Sequence, residues 1–215
     1  MIVLIGGEKG GTGKTTLATN LAQMRVQSGR DVLLVDTDKQ ESASAWAGLR
    51  EEEGIEPAIT TVQKIGKSIT RDLLELSKRF DDLVIDAGGR DSYELRAALV
   101  AADQIFIPVQ ASQFDVWTLG NMAELVEHAQ ALNPKLKAFV VLNRASPNPG
   151  VSEAREAEGL LADFPVLRFS EVIVRDRIAF RKASSAGQGV HELSPADDKA
   201  KAEINQLYEV VFNEK

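Results

Sequence analysis

The sequence contains no cysteine. That excludes disulfides, an iron–sulfur cluster and a thiolate zinc site. Histidine is nearly absent too: His128 and His191 stand alone and far apart, which argues against a histidine metal site. No apolar run approaches the ~20 residues needed to span a membrane. Positive charge is in deficit, with 25 Lys and Arg against 32 Asp and Glu, a net charge of −7. Bulk charge therefore gives no basis for blanket nucleic-acid binding, and any DNA contact needs a local basic patch. Met1 leads directly into a strand pattern, so no signal peptide and a cytoplasmic location are expected. What remains is an ordinary globular composition, 44% hydrophobic and 27% charged over 215 residues, enough for one sizeable core.

Apolar strand runs alternate with helical stretches along the whole chain. Residues 2–6, Val32-Leu33-Leu34-Val35, Leu83-Val84-Ile85, Gln104 to Val109 and Ala138 to Leu142 read as buried strands, with Ile59 to Val62, Val166-Leu167 and Val172-Ile173-Val174 as shorter candidates. Helices are expected over about 14–28, 41–53, 68–79, 91–102, 112–132, 152–163 and 175–186. Asp91 with Glu94, Ser112 with Asp115 and Ser194-Pro195 are the expected helix starts, the last opening a helix to the C-terminus. Continuous apolar strands separated by helices specify an α/β protein: a mostly parallel twisted sheet covered by helices on both faces. Residues 1–215 are expected to form a single domain, with no helix-turn-helix extension before the first strand.

The stretch Glu8-Lys9-Gly10-Gly11-Thr12-Gly13-Lys14-Thr15-Thr16 lies between the first strand and the first helix. A glycine-rich turn in that place wraps polyphosphate in backbone N–H groups and lays it on the helix N-terminus, where the dipole favours negative charge. Lys14 then reaches the β/γ-phosphates, and the Thr15 hydroxyl holds Mg²⁺. The usual pattern, G-x-x-x-x-G-K-[ST], lacks its first glycine here, because Glu8 occupies that position. A second lysine, Lys9, precedes Lys14, so the loop carries more positive charge than one triphosphate needs.

Open parallel sheets bind ligands at the C-terminal ends of their strands. Asp36 and Asp38 follow one strand, Asp86 another and Asn143-Arg144 a third, so these residues and the loop are expected around one crevice. Asp86 ends a hydrophobic strand, as a Walker B aspartate does, and is expected to hold Mg²⁺ through water; the alternative is a cap on the next helix. Asp36 and Asp38 are two apart on an extended segment and point to one side. Two adjacent carboxylates are costly unless a cation neutralises them. Asp36 is therefore expected near Mg²⁺ and Asp38 near an attacking water; an acidic loop without chemistry is the competing reading. The Asn143 amide can read the N6/N7 edge of adenine and Arg144 can stack on its face. The alternative for this pair is a loop that caps the following segment.

The loop resembles the deviant Walker A sequence, K-G-G-x-G-K-[ST]-[ST], of the ParA/MinD family of ATPases. Asp36-Thr37-Asp38-Lys39-Gln40 is similar to that family's D-x-D-P-Q segment, with Lys39 for proline, and Asp86-Ala87-Gly88-Gly89 stands in the place of its D-x-P-P. Ala101 to Gln110 and Ser112 to Trp117 also match family segments, so the likeness covers roughly residues 1–190. The resemblance implies a P-loop NTPase fold with ATP and Mg²⁺ as ligands, Lys9, Lys14 and Asp38 as catalytic residues, and Gly10 to Thr16 on the nucleotide. It implies that Lys9 reaches across a homodimer to the partner's nucleotide and that Asp38 positions the water. Absence of cysteine separates the chain from the nitrogenase iron protein, a relative with a similar loop.

The resemblance also frames the load. The ATP dimers of such proteins act on nonspecific DNA, membrane or a partner protein. Arg175, Arg177, Arg181 and Lys182, with Asp176 among them, form the densest basic window and are the expected DNA contacts; ion pairs to neighbouring acidic helices are the competing reading. The C-terminal segment 192–215 is acidic, so membrane attachment is not expected. The leading expectation is a nucleoid-associated ATPase for partition of plasmid or chromosomal DNA, stimulated by a ParB-like or cargo adaptor. The alternatives are positioning of a protein cargo, such as a chemotaxis cluster or microcompartment, and a metabolic synthetase that does not need Lys9.

Overall fold

The computed structural model describes residues 1–110, 116–147 and 153–213. Seven strands form one sheet in the order β3-β2-β4-β1-β5-β6-β7, and every adjacent pair runs parallel. They are β1 (Ile2–Ile5), β2 (Val32–Asp36), β3 (Thr60–Gln63), β4 (Asp82–Asp86), β5 (Gln104–Val109), β6 (Lys137–Ala145) and β7 (Leu167–Arg175). Parallel neighbours require crossovers, and these supply α1 (Lys14–Gln27), α2 (Ser42–Glu52), α3 (Ile69–Leu76), α4 (Tyr93–Ala101), α5 (Val116–Gln130) and α6 (Glu153–Leu161). After β7 come α7 (Ile178–Ser185), a 3₁₀ turn (Val190–Glu192) and α8 (Asp198–Asn213).

The period-2 geometry of the strands divides the core into two layers. Leu4, Leu33, Val35, Leu83, Ile85 and Ile105 face α3 to α6. Val3, Ile5, Val32, Leu34, Val84 and Phe106 face α1, α2, α7 and α8. This is the expected three-layer α/β arrangement, with both faces covered. Ile204, Leu207 and Val211 of α8 are buried in the second layer, so the apolar stripe of the last helix covers the sheet. Arg50 of α2 is 2% exposed. Its guanidinium donates to the carbonyls of Pro57 and Gly187 and to both carboxylate oxygens of Glu192, tying α2 to the turn after α7.

Three local expectations are corrected. The helix expected to begin with Asp91 is capped by Ser92, whose hydroxyl accepts from the Leu95 N–H at 3.1 Å; Asp91 instead forms a bidentate pair with Arg96. The two short strands near residues 166 and 172 are one nine-residue strand, β7. Its register against β6 shifts around Glu171, which has φ +60°, and the polar Ser170-Glu171 hides that continuity in the sequence. The last helix starts at Asp198 rather than after Ser194-Pro195. The Asp197 carboxylate accepts the Ala200 N–H at 3.0 Å and supplies the cap. The Ser112–Asp115 helix start lies outside the described residues.

Candidate nucleotide site

The C-terminal ends of β1, β2, β4 and β6 open on a cleft of about 930 Å³, lined by Gly10, Gly11, Gly13, Lys14, Thr15, Thr16, Asp38 and Arg144 among others. The loop turns through left-handed backbone at Gly11 (φ +74°) and Gly13 (φ +91°), conformations that favour glycine. Gly13 is also the N-cap of α1, so the first-turn amides of that helix face the loop.

Lys14 is buried at 7% exposure, and its ammonium donates to the Lys9 carbonyl at 2.7 Å. Burial lowers its pKa, against the opposing charges of Asp86 and Asp38. The Thr15 hydroxyl donates to Asp86 Oδ2 at 2.6 Å. Asp86 is 1% exposed. Burial pushes its carboxyl up to about 7; the Thr15 hydrogen bond and the Lys14 charge oppose this, while Asp36 and Asp38 add to it. The second oxygen, Asp86 Oδ1, is buried and has no hydrogen-bond partner. An orphaned carboxylate oxygen beside a threonine hydroxyl is a hard-donor pair suited to Mg²⁺. Among the described residues no three acidic or histidine side chains converge as a metal-binding group. The pair therefore suits an ion that keeps water and phosphate oxygens in its shell.

Asp38 lines the cleft, and its Oδ1 accepts the Gln40 N–H at 3.0 Å. The loop is held from below by β5 and β6. Asn143 Nδ2 donates to the Thr12 carbonyl at 2.7 Å. Arg144, at φ +52°, donates to the Gly11 carbonyl at 2.7 Å, and Gln110 donates to the same carbonyl at 3.0 Å.

Several expectations change in light of this geometry. Asp36 does not face the cleft. It is fully buried, one oxygen accepts the Asp38 N–H, and the other accepts both the N–H and hydroxyl of Ser44. Its carboxylate shapes the turn that carries Asp38 and does not present a metal ligand. Asn143 is 3% exposed, and its amide braces the loop, so it does not present an edge to adenine. Lys9 and Thr12 line a separate small pocket beside Pro108, Leu119 and Met122. Glu8, the residue in place of the missing glycine, accepts from Asn121 of α5 at 3.2 Å.

The basic window is also rearranged. Arg175 and Arg177 both hold Glu203 of α8, at 3.1 and 2.6 Å, and the Glu203 carboxylate accepts the Arg175 N–H as well. Burial pushes the Glu203 pKa up, but hydrogen bonds from Arg177 and Arg175 outweigh it and hold the group below its ordinary value. Arg181 pairs with Asp176 at 3.1 Å. Two of the four cations read as DNA contacts thus clamp α8 to the end of β7 and the start of α7, a third is paired in the surface, and Lys182 is exposed.

Sequence reasoning missed Ser44, Gln110 and Asn121. Gln110 directly follows β5, so the strand-end rule that found Asp86 reaches it too. Ser44 and Asn121 sit on helices and carry no sequence signal.

A family model for the CobQ/CobB/MinD/ParA nucleotide binding domain matches residues 3–190. The chain belongs to this family. It is 32% identical over 205 residues to the Maintenance of carboxysome distribution protein A of Halothiobacillus neapolitanus, covering 95% of this chain and 93% of that protein. It is 29% identical over 227 residues to the chromosome-partitioning ATPase Soj of Thermus thermophilus, covering 93% and 91%. The ATP complex of McdA from Cyanothece superposes with a TM-score of 0.77 at 20% identity, over 98% of this chain and 95% of that one, which shows the shared three-layer fold.

Proposed function

We propose that this family member is a Mg²⁺-dependent ATPase that dimerises around ATP and positions a cargo inside the cell. The observation that carries the reading is the convergence of Lys14, Thr15, Asp86 and Asp38 on one cleft at the strand ends. Phosphoryl transfer needs mostly positioning and charge stabilisation, and these residues divide that work. The α1 amides and Lys14 hold the β- and γ-phosphates, for which Lys14 exchanges the Lys9 carbonyl. Thr15 and Asp86 are the residues that would hold Mg²⁺, which would supply charge neutralisation of the phosphates. Asp38, fixed by the Asp36 turn, orients the attacking water. Lys9 acts across the dimer on the partner's nucleotide, so hydrolysis depends on association.

The cargo reading favoured is a protein assembly recognised through an adaptor, with nonspecific nucleoid DNA as the track. The 32% identity to a protein named for carboxysome distribution supports it. Partition of DNA is the second reading, supported by the likeness to a chromosome-partitioning ATPase. Size-exclusion mass of an Asp38→Ala variant tests the engine: it should double with ATP and Mg²⁺ and not with ADP, and a monomer in both conditions refutes the dimer mechanism. Gene deletion then separates the cargos. Plasmid loss favours DNA, whereas clumped protein foci with stable plasmids favour a protein assembly.

A further inference from the structure

The outer strands of the sheet are β3 and β7. β7 breaks register around Glu171, where φ is +60°, and such an irregularity blunts an edge against further pairing. β3 pairs with β2 in unbroken register from Thr60 to Gln63. It carries neither charge nor proline, residues that commonly guard an edge. The ladder fixes which way each residue faces. The Lys64 N–H donates to the Asp36 carbonyl, so alternation turns Val62 and Thr60 toward β2 and the N–H and carbonyl groups of Thr61 and Gln63 outward. Among the described residues nothing bonds these outward groups. The edge of β3 is thus a short, regular template of unmet donors and acceptors.

A chain laid beside β3 would sit about 4.8 Å from it, and its side chains on the α2 side would enter a groove. That groove, of about 510 Å³, runs between α2 and the start of β3 and is lined by Ala47, Gly48, Glu51, Glu56, Ile59 and Thr61 among others. Gly48 keeps it open: a Cβ there would meet no heavy atom within 4 Å. Glu51 and Glu56 are exposed in its lining. The lining's cation, Arg50, is 2% exposed and already held by Glu192, so it does not offset them. Negative charge therefore stands beside an unpaired backbone edge. That sign repels nucleic acid, and the β3 edge of a second copy would bring the same carboxylates against these.

We propose that the β3 edge and its groove dock an extended, basic segment of a partner protein. The segment adds an eighth strand through the backbone groups of Thr61 and Gln63, and a Lys or Arg side chain enters the groove toward Glu51 and Glu56. Backbone bonds supply affinity and the groove supplies selection, the division of labour of strand addition. The surface lies at the side of the sheet, away from the strand ends where the nucleotide cleft opens, and does not depend on the ATPase reading.

Fluorescence anisotropy of the full chain tests it, with a labelled peptide of alternating lysine and valine as the probe and its glutamate–valine counterpart as control. The basic peptide should bind with a Kd below about 100 µM at low salt, and the acidic one at least about tenfold more weakly. Two variants separate docking from charge alone. Thr61→Pro removes an outward N–H and leaves the β2 ladder intact; it should weaken the basic peptide about fivefold, as for one backbone hydrogen bond. Gly48→Leu fills the groove with a better helix former; it should weaken the peptide about tenfold without lowering the urea midpoint. No binding of the basic peptide, equal binding of the acidic one, or wild-type affinity in both variants overturns the proposal.

Discussion

Asp86 is a carboxylate whose burial works against the fold until a cation arrives, and Asp86→Asn measures by how much. Its folded pKa of about 7 lies above the ordinary 3.8. Between those values the folded protein binds a proton that the unfolded chain has released. Stability therefore falls as pH rises from about 4 to about 7 and is flat above, the sense required for a raised carboxylate pKa. About three pKa units at 1.36 kcal/mol each come to about 4 kcal/mol at pH 8. Asparagine is nearly isosteric and carries no charge, and its carbonyl still accepts from the Thr15 hydroxyl. Without metal or nucleotide, Asp86→Asn should be more stable than the wild type by about 4 kcal/mol at pH 8. The gap should shrink to about 2 kcal/mol at pH 5 and close near pH 3. Urea unfolding in EDTA across pH 5 to 8 reads the gap directly. Adding Mg²⁺ and ATP should stabilise the wild type and not the variant, reversing their order. A gap independent of pH, or a wild type more stable than the variant at pH 8, refutes the reasoning.

Three further outcomes are expected. Glu192→Gln leaves the Arg50 guanidinium, 2% exposed, without its counter-charge; urea unfolding should show a loss of about 3–5 kcal/mol, as for breaking a buried pair, while nucleotide affinity is unchanged. Glu203→Ala should cost about 2 kcal/mol, less than a fully buried pair because Arg175 and Arg177 are partly solvated. The Glu203 contribution is present above its ordinary value of 4.5 and lost as pH falls through its lowered folded value, so the variant and wild type should converge in acid. The same variant releases two arginines: if the basic window contacts DNA, nonspecific affinity rises and its salt dependence steepens, and unaltered binding by fluorescence anisotropy confines the pair to clamping α8. Asp38→Ala should retain ATP affinity and lose steady-state phosphate release by about 100-fold or more, as expected for a residue that positions the nucleophile in the transition state.

The sheet was legible because its signal is redundant. A parallel strand covered on both faces is apolar along its interior, and β1, β2, β4 and β5 are, with their polar residues Asp36, Asp82, Asp86 and Gln104 confined to the strand ends. The turn of the loop was legible at Gly11 and Gly13, where φ is positive and glycine is favoured; Lys14 and Thr15 are the residues proposed to take the phosphates and the metal. Asp86 and Asp38 were found by the rule that strand ends face the crevice, which depends only on chain direction and sheet parallelism. β7 was read as two pieces because a register shift at Glu171 is made by backbone, and Ser170-Glu171 looks like a break when only side chains are read.

Asp36 and Asn143 show where strand-end reasoning stops. A polar residue at the end of a buried strand has two destinations, the ligand or the neighbouring turn, and the sequence encodes the position without the choice. The loop carbonyl of Thr12 turns inward and needs a donor, because a buried unpaired carbonyl costs about 1–3 kcal/mol. Asn143 meets that need, while Arg144 and Gln110 hold the exposed Gly11 carbonyl. Likewise the amides that open α2 need acceptors, and Asp36 meets one at Ser44. A phosphate loop that presents its N–H groups to an anion must point its carbonyls elsewhere, so the residues that ligate and those that brace arise from one constraint. The basic window follows the same logic at longer range. Glu203 lies 28 residues beyond Arg175 and is invisible to any local charge count, yet it determines whether that arginine faces solvent or an acid. Freeing Arg175 and Arg177 by removing Glu203, rather than deleting them, is therefore the perturbation that separates the two roles, because it leaves both cations in place and changes only what they face.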